Sequence, residues 1–284
     1  MPELPEVETM RRGVTPAIGS RIVEVVRPRC SRKPIEIRPS LSAFRRRVRG
    51  ATITGLARAG KRVVIWLDTE EAIVVEPRMT GLLLVVDPPT QEHLRWRLVL
   101  EGGSLGEMSY WDRRGLGSVR LFNRNEFQES FGPDRLGPDA LGITAAVYRQ
   151  QLGDSKREIK PALLDQRAVA GIGNLYASEI LFVAGIHPQR RCSAMNHRQW
   201  QALSAATRSV LAEAIRYEGS TLGDGTYRNA LNRQGGYQNH HRVYDRAGEV
   251  CGDCRSSRIC RMVQNQRSTF YCSRCQKRTG ARLA

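Results

Sequence analysis

Apolar positions change their period along this chain, and the changes divide it. From residue 63 to 98 they fall in short runs: Val63-Val64-Ile65-Trp66-Leu67, Ala72-Ile73-Val74-Val75, Leu82-Leu83-Leu84-Val85-Val86 and Leu94-Arg95-Trp96-Arg97-Leu98. Gly60, Gly81, Pro88-Pro89 and Gly102-Gly103 separate these runs, as turns separate strands. The last run alternates apolar with polar residues, which marks a half-buried strand. Short strands with regular punctuation predict a two-sheet β-sandwich over residues 1–130. An opening helix should precede it, with Val7, Met10 and Val14 on one stripe and Glu6 and Glu8 in the first turn, where the helix dipole favours them.

Gly132-Pro133-Asp134 and Gly137-Pro138 predict a hinge over residues 131–150, after which the pattern becomes helical. Trp200, Leu203, Thr207, Val210, Leu211, Ala214 and Ile215 share one face of a helix. Asn196 and Gln199 have the spacing of a capping box for it, and Gly219 marks its end. Between Leu164 and Gly185 the pattern reads helix, Ala170-Gly171-Ile172-Gly173-Asn174, helix. Two glycines in such a turn let backbone N–H groups approach an anion, although a plain helix–turn–helix corner would look the same. The helical region is expected over residues 151–244. Its last part, 220–244, is rich in Gly, Asn, Gln and Thr, and is either a working loop or disordered.

The C-terminal segment, residues 245–284, carries Cys251-Gly-Asp-Cys254 and, seventeen residues on, Cys272-Ser-Arg-Cys275. Two such knuckles supply four thiolates to one tetrahedral structural zinc ion. Disulfides are the competing reading. With no secretory signal and no run of membrane-spanning length, a reducing cytosol is expected, and zinc is favoured. Cys30, Cys192 and Cys260 read as ordinary thiols. Phe270-Tyr271 suggests a hairpin bearing the second knuckle, with Arg267 near its tip, placed for bidentate phosphate contact.

Composition is that of a globular protein, 40% hydrophobic and 26% charged, but the net charge is +17. Such a chain is drawn to polyanions. Basic clusters occur at Arg45-Arg46-Arg47, at Lys61-Arg62, at Arg113-Arg114 and through the cysteine-rich end, so they suggest a path followed by phosphates. No basic amphipathic helix accompanies them, which argues against a membrane surface.

The first residues, Met1-Pro2-Glu3-Leu4-Pro5-Glu6, admit two readings. Proline and acidic residues suit a helix start. Alternatively, once the initiator Met is removed, Pro2 offers a secondary amine able to attack carbon, with Glu3 beside it as proton carrier.

Taken together, these residues resemble the formamidopyrimidine-DNA glycosylase family nearly end to end. The likeness rests on Pro2 to Thr9, Met79-Thr80-Gly81, Gly171-Ile172-Gly173-Asn174-Leu175-Tyr176-Ala177-Ser178-Glu179 and Gln266-Arg267-Ser268-Thr269-Phe270-Tyr271-Cys272. It implies a multidomain α+β fold: an N-terminal β-sandwich, a helix–two-turn–helix domain and a C-terminal four-cysteine zinc finger, with damaged double-stranded DNA in the cleft between the halves. It implies a bifunctional glycosylase and lyase for oxidised purines, monomeric, in the bacterial cytoplasm, without membrane or obligate protein partner. Pro2 would be the nucleophile, Glu3 the general acid/base, Glu6 the anchor of the N-terminus, and Lys61 a grip on phosphate near the lesion. Asn174, Tyr176 and Arg267 fall at DNA-binding positions, Lys160 at a lysine linked to lesion handling, and residues 220–244 at a loop that closes over the extruded base. Extrusion needs an apolar wedge. Met79 can serve. The family's second wedge lies in a D-P-x-R-F-G-like loop, which here reads Asp112-Arg113-Arg114-Gly115-Leu116-Gly117. Leu116 can wedge, but Gly115 stands at an arginine of that pattern, so reading of the opposite base would fall to Arg113 or Arg114. Two alternatives stay open: an endonuclease VIII-like preference for oxidised pyrimidines, and a zinc-dependent DNA-binding protein without catalysis.

Overall fold

In the computed structural model of the chain, residues 2–278 are described. They form two compact units: one runs to Gly132 and includes Ile215–Gln238, and the other comprises Pro133–Ala214 and the residues from Asn239 on.

The first unit is built on α1 (Leu4–Gly13), β1 (Arg21–Val26), β2 (Glu36–Arg38), α2 (Leu41–Val48), β3 (Ile53–Ala59), β4 (Arg62–Leu67), β5 (Ala72–Glu76), β6 (Gly81–Leu84), β7 (Leu94–Glu101), β8 (Glu107–Asp112), β9 (Ser118–Phe122) and α3 (Arg124–Phe131). One sheet has the order β1-β7-β8-β6 and the other β2-β9-β5-β4-β3. Pairing is antiparallel except between β2 and β9. Both sheets contribute to one core, in which Ile22, Leu83, Trp96 and Leu98 of the first meet Val63, Ile65, Ile73 and Val119 of the second. This is the expected sandwich. The stripe of α1 joins the same core, since Val7, Met10 and Val14 have no exposed surface.

The four apolar runs all become strands, with one difference at an end. β6 stops at Leu84, and the N–H of Val85 donates instead to the carbonyl of Ala230 (3.0 Å). That bond shows where Ile215–Gln238 packs. Periodicity had assigned these residues to the helical region, yet they group with the sandwich. The stretch is irregular but closely bonded. Thr221 Oγ1 donates to the carbonyl of Tyr227 (2.7 Å) and accepts from Gly235 N–H (2.9 Å), and Asn229 Nδ2 donates to Glu218 (2.8 Å).

The second unit contains α4 (Ala145–Leu152), α5 (Ile159–Leu163), α6 (Asn174–Val183), most of α7 (His197–Arg216), and a hairpin of β10 (Ile259–Gln264) and β11 (Arg267–Cys272). The box that opens α7 forms as expected: Gln199 N–H donates to Asn196 Oδ1 (2.9 Å), and Asn196 N–H to Gln199 Oε1 (3.0 Å). Tyr148 of α4 reaches Thr207 on the buried face of α7 (2.8 Å). The hairpin packs Ile259, Phe270 and Cys272 with Phe182 and Val243. Glu179 of α6 is wholly buried and clamps the approach to the hairpin, accepting from the N–H groups of Arg242, Val243 and Tyr244 at 2.8 to 2.9 Å. Burial pushes its carboxyl up, while those backbone donors pull it down.

Candidate nucleic-acid interface and catalytic centre

Pro2 is buried immediately before α1. Glu3 is the N-cap of that helix and exchanges hydrogen bonds with Glu6 in a capping box. Glu6 is more committed than its spacing suggested. One carboxylate oxygen accepts from Glu3 N–H (2.9 Å) and the other from Ser220 N–H (2.8 Å). The approach of residue 219 requires glycine, because its φ is +81° and a Cβ would meet Glu6 Oε1 at 2.8 Å. Glu6 therefore fastens the start of the chain to the 215–238 segment.

Two residues further on, Glu8, expected only to favour the helix dipole, has a larger role. Glu8 is buried and bonded by Arg11 (2.8 Å), Arg12 (2.8 Å) and Arg58 (3.3 Å). Burial alone would raise its carboxyl, but the bonds from Arg11 and Arg12 and the charge of Arg58 outweigh it and bring it down to about 2. Arg11 and Arg12 stand at the helical i+3 and i+4 positions, which sequence can suggest. Arg58, on β3, could not be foreseen. Lys61 lies in the two-residue turn between β3 and β4. The two strands it joins both pack against α1.

Met79 and Leu116 are both exposed, at 38% and 39%. Met79 is thus not a core methionine. Arg113 and Arg114 are exposed as well. The organiser of both loops is Asp112, a fully buried carboxylate to which the sequence reading gave no role. It accepts from the Thr80 hydroxyl, from Arg114 N–H (3.1 Å) and from Gly117 N–H (2.8 Å). Buried Arg95 holds the same loop by donating to the carbonyls of Asp112 (2.8 Å) and Arg113 (3.5 Å). Gly115 has φ +61°, and a Cβ there would lie 2.4 Å from the carbonyl oxygen of Lys33. No arginine fits that position in this loop.

In the second unit, Gly171 takes φ +106° in the turn before α6, and Gln166 straps the turn through Gly171 N–H (2.9 Å) and the Ile172 carbonyl (2.9 Å). Gly173 is the N-cap and has no side chain to close the helix end. Lys160 is only 1% exposed, so it is not a surface contact. Its ammonium donates to Asn174 Oδ1 (2.7 Å), the Ser268 carbonyl (3.0 Å) and Thr269 Oγ1 (2.8 Å). Asn174 Nδ2 donates to the same Ser268 carbonyl (3.0 Å). This network joins the N-terminus of α6 to β11. Tyr176 is fully buried, so its ring packs inside the unit and cannot lie against a ligand surface. Arg267 is exposed and directly follows the Asn265-Gln266 turn, at the expected hairpin tip.

The four cysteine sulfurs of residues 251, 254, 272 and 275 lie within 4.8 Å of one another and could hold a metal ion. Cys251 and Cys275 are 3.8 Å apart, and Cys254 and Cys272 are 3.7 Å apart. A tetrahedron with metal–sulfur bonds of about 2.3 Å has edges of about 3.8 Å, so the donor set fits such an ion. Backbone N–H of Ser256 pulls the Cys254 thiol down to about 6, whereas burial pushes those of Cys251 and Cys275 up. No helix among the described residues is long and apolar enough to cross a membrane.

Comparison with known proteins covers nearly the whole chain. The formamidopyrimidine-DNA glycosylase N-terminal domain matches residues 1–119, and the H2TH domain of the same enzymes matches residues 136–225. A formamidopyrimidine-DNA glycosylase of Chloroflexus aurantiacus is 38% identical over 281 residues, 97% of this chain and 98% of the relative. One from Rhodopseudomonas palustris is 36% identical over 299 residues, 98% of this chain and all of the relative. Among solved structures, a Lactococcus lactis Fpg mutant in complex with Fapy-dG-containing DNA aligns with a TM-score of 0.84 at 29% identity, covering 97% of this chain and 100% of that one. The MutM (Fpg) protein of Thermus thermophilus aligns at 0.83 and 34% identity, covering 98% and 100%.

Proposed function

The chain belongs to the formamidopyrimidine-DNA glycosylase family, and from that premise we propose that it is a base-excision-repair DNA glycosylase acting on oxidised purines, with the strand-nicking lyase activity typical of that family. The observation that carries this reading is the built start of the chain: Pro2 is buried and set by a capping box whose Glu6 is itself locked to Ser220.

The Pro2 nitrogen, once unblocked, bonds to C1′ of the damaged nucleoside, and the glycosidic bond breaks as the base leaves. An unperturbed terminal amine has a pKa of about 8, so roughly a tenth is neutral and nucleophilic at pH 7. Glu3 carries protons between the sugar and the departing base. Ring opening leaves an iminium that acidifies the adjacent sugar hydrogens. Loss of a C2′ proton then expels the 3′ phosphate, and a second elimination expels the 5′ phosphate. Glu6, with both oxygens occupied by backbone donors, positions the amine. Lys61, Arg267 and the N-terminus of α6 would take phosphates, the last through its backbone dipole, since the Asn174 side chain is held by Lys160 and Ser268. Met79 and Leu116 would fill the space left by the extruded nucleotide, and Arg113 and Arg114 would face the opposite strand. The ion held by the cysteines would be Zn2+, which closes all four ligand positions and has a structural role only.

Borohydride trapping tests this. A covalent adduct is expected with duplexes containing 8-oxoguanine or formamidopyrimidine, and weaker adduct with an oxidised pyrimidine. One residue added before Pro2 should cut trapping by roughly 1,000-fold or more, because the nucleophile is gone. A tagged chain that traps as well as the native one would overturn the mechanism, and preference for the pyrimidine would overturn the substrate class.

A further inference from the structure

The segment after β1, residues 27–35, closes over the start of β7 and leaves a cavity of about 600 Å3 lined by Arg27, Arg29, Cys30, Arg32, Ile35 and Arg95 among others. Four lining side chains are guanidinium groups and none is a carboxylate. Arg32 has a partner outside the cavity, Glu92 (2.8 Å). Arg95 is spent on the carbonyls of Asp112 and Arg113 and on the Cys30 sulfur. Among the described residues, Arg27 and Arg29 have neither hydrogen-bond nor ion-pair partner. Some arginines of this unit gather on acids, as Arg11, Arg12 and Arg58 do on Glu8 and Arg62, Arg78 and Arg120 on Glu76, whereas Arg27 and Arg29 do not. Both are exposed, and two unpaired cations lining a groove without a carboxylate form an anion site.

The cavity shares a wall with the wedge loop. Arg95 ties both together, and the Lys33 carbonyl lies against Gly115. We propose that this cavity is an additional phosphate subsite, which takes a backbone phosphate of duplex DNA one or two steps from the point where Met79 and Leu116 enter. The inference rests on the reading of the chain as a DNA glycosylase. Phosphates along one strand recur at about 3.4 Å of helix rise, a spacing fine enough for a duplex held at the wedge to offer one to this wall. The segment 27–35 then works as a strap, positioned by Arg95 and gripping through Arg27 and Arg29.

Cys30 lines the cavity and reports its occupancy. Duplex DNA should slow alkylation of Cys30 by N-ethylmaleimide roughly tenfold, read by peptide mass, because a filled cavity denies access to the thiol. Inorganic phosphate at the same phosphate concentration should slow it little. In the double variant Arg27→Gln/Arg29→Gln, the slope of log affinity against log salt should fall by about 1 to 2, as for the loss of one or two phosphate contacts. Arg149→Gln/Arg198→Gln in the other unit, with the same change of charge, should leave it unchanged. Protection by phosphate equal to that by DNA makes this a small-anion site and overturns the proposal. So does absence of protection, or an unchanged slope. Trapping by the unmodified chain separates the two readings: adduct with an unchanged slope defeats the strap alone, whereas no adduct on any lesion defeats the glycosylase assignment.

Discussion

Glu8 in the β unit and Lys160 in the helical unit are both buried charges, and the chain stabilises them by opposite means. Glu8 collects guanidinium groups from its own helix and from β3, all within the sandwich. Lys160 donates to an amide, a carbonyl and a hydroxyl, two of them on β11. The first arrangement is fastened to a large two-sheet core and depends on protonation. The second stitches a helix to a hairpin that has little core of its own and lies beside four cysteines that could hold a metal ion. Small β-hairpins do not stand alone in water, so a metal supplies what burial cannot. The proposed chemistry sits on the self-sufficient frame, and part of the proposed phosphate grip sits on the conditional one.

That contrast breaks most visibly on metal removal. Chelation should unfold the β10–β11 hairpin, release the Lys160 network and weaken DNA binding about 100-fold or more. The sandwich should keep its thermal transition. Calorimetry alongside a binding titration checks both, and a single transition that disappears as a whole would show the frames to be interdependent.

Acid should act on the other side. The Glu8 carboxyl lies near 2 in the folded chain against 4.5 as a free group, so its stabilisation is complete above pH 4.5 and fades as pH falls towards 2. Glu8→Gln should remove that part of the pH dependence and cost about 2 kcal/mol at neutral pH, since three guanidinium groups lose their shared carboxylate. Denaturant melts of both proteins across this range would measure it. An identical pH profile for the variant would assign the acid sensitivity elsewhere.

The smallest expected effect concerns the wedge. Leu116→Ala should leave stability within about 0.5 kcal/mol, because the side chain is exposed, while lowering excision from duplex DNA by roughly tenfold. Asp112→Asn should give a similar loss of excision with a measurable loss of stability, because it disturbs both loops at once. Loss of excision on Asp112→Asn with none on Leu116→Ala would mean that loop order, not the apolar tip, is what matters.

Much of this was legible because it is local. Strand runs at 63–67, 72–75 and 94–98, the Asn196–Gln199 box, and the paired cysteine knuckles each depend on residues within a few positions, whose period or spacing dictates the outcome. Exposure of Met79 and Leu116 was not legible, since an apolar residue in a turn faces in or out according to what packs on it. The same holds for Lys160, a lysine in the sequence like any other, whose three acceptors include two more than a hundred residues away.

From its sequence alone this chain declared an N-terminal β-sandwich, a helical region with a glycine-bearing turn, a metal-binding end and an affinity for polyanions. These follow from composition and short-range pattern, which act before the chain is folded. Only the tertiary structure assigned residues 215–238 to the sandwich, locked Glu6 to Ser220 across 214 positions, tied Asp112 to the loops that carry Thr80 and Arg114, and laid Lys33 against Gly115. Those choices depend on which buried polar groups find partners when distant segments meet, and an unpaired buried charge or donor costs too much for the packing to leave the matter open.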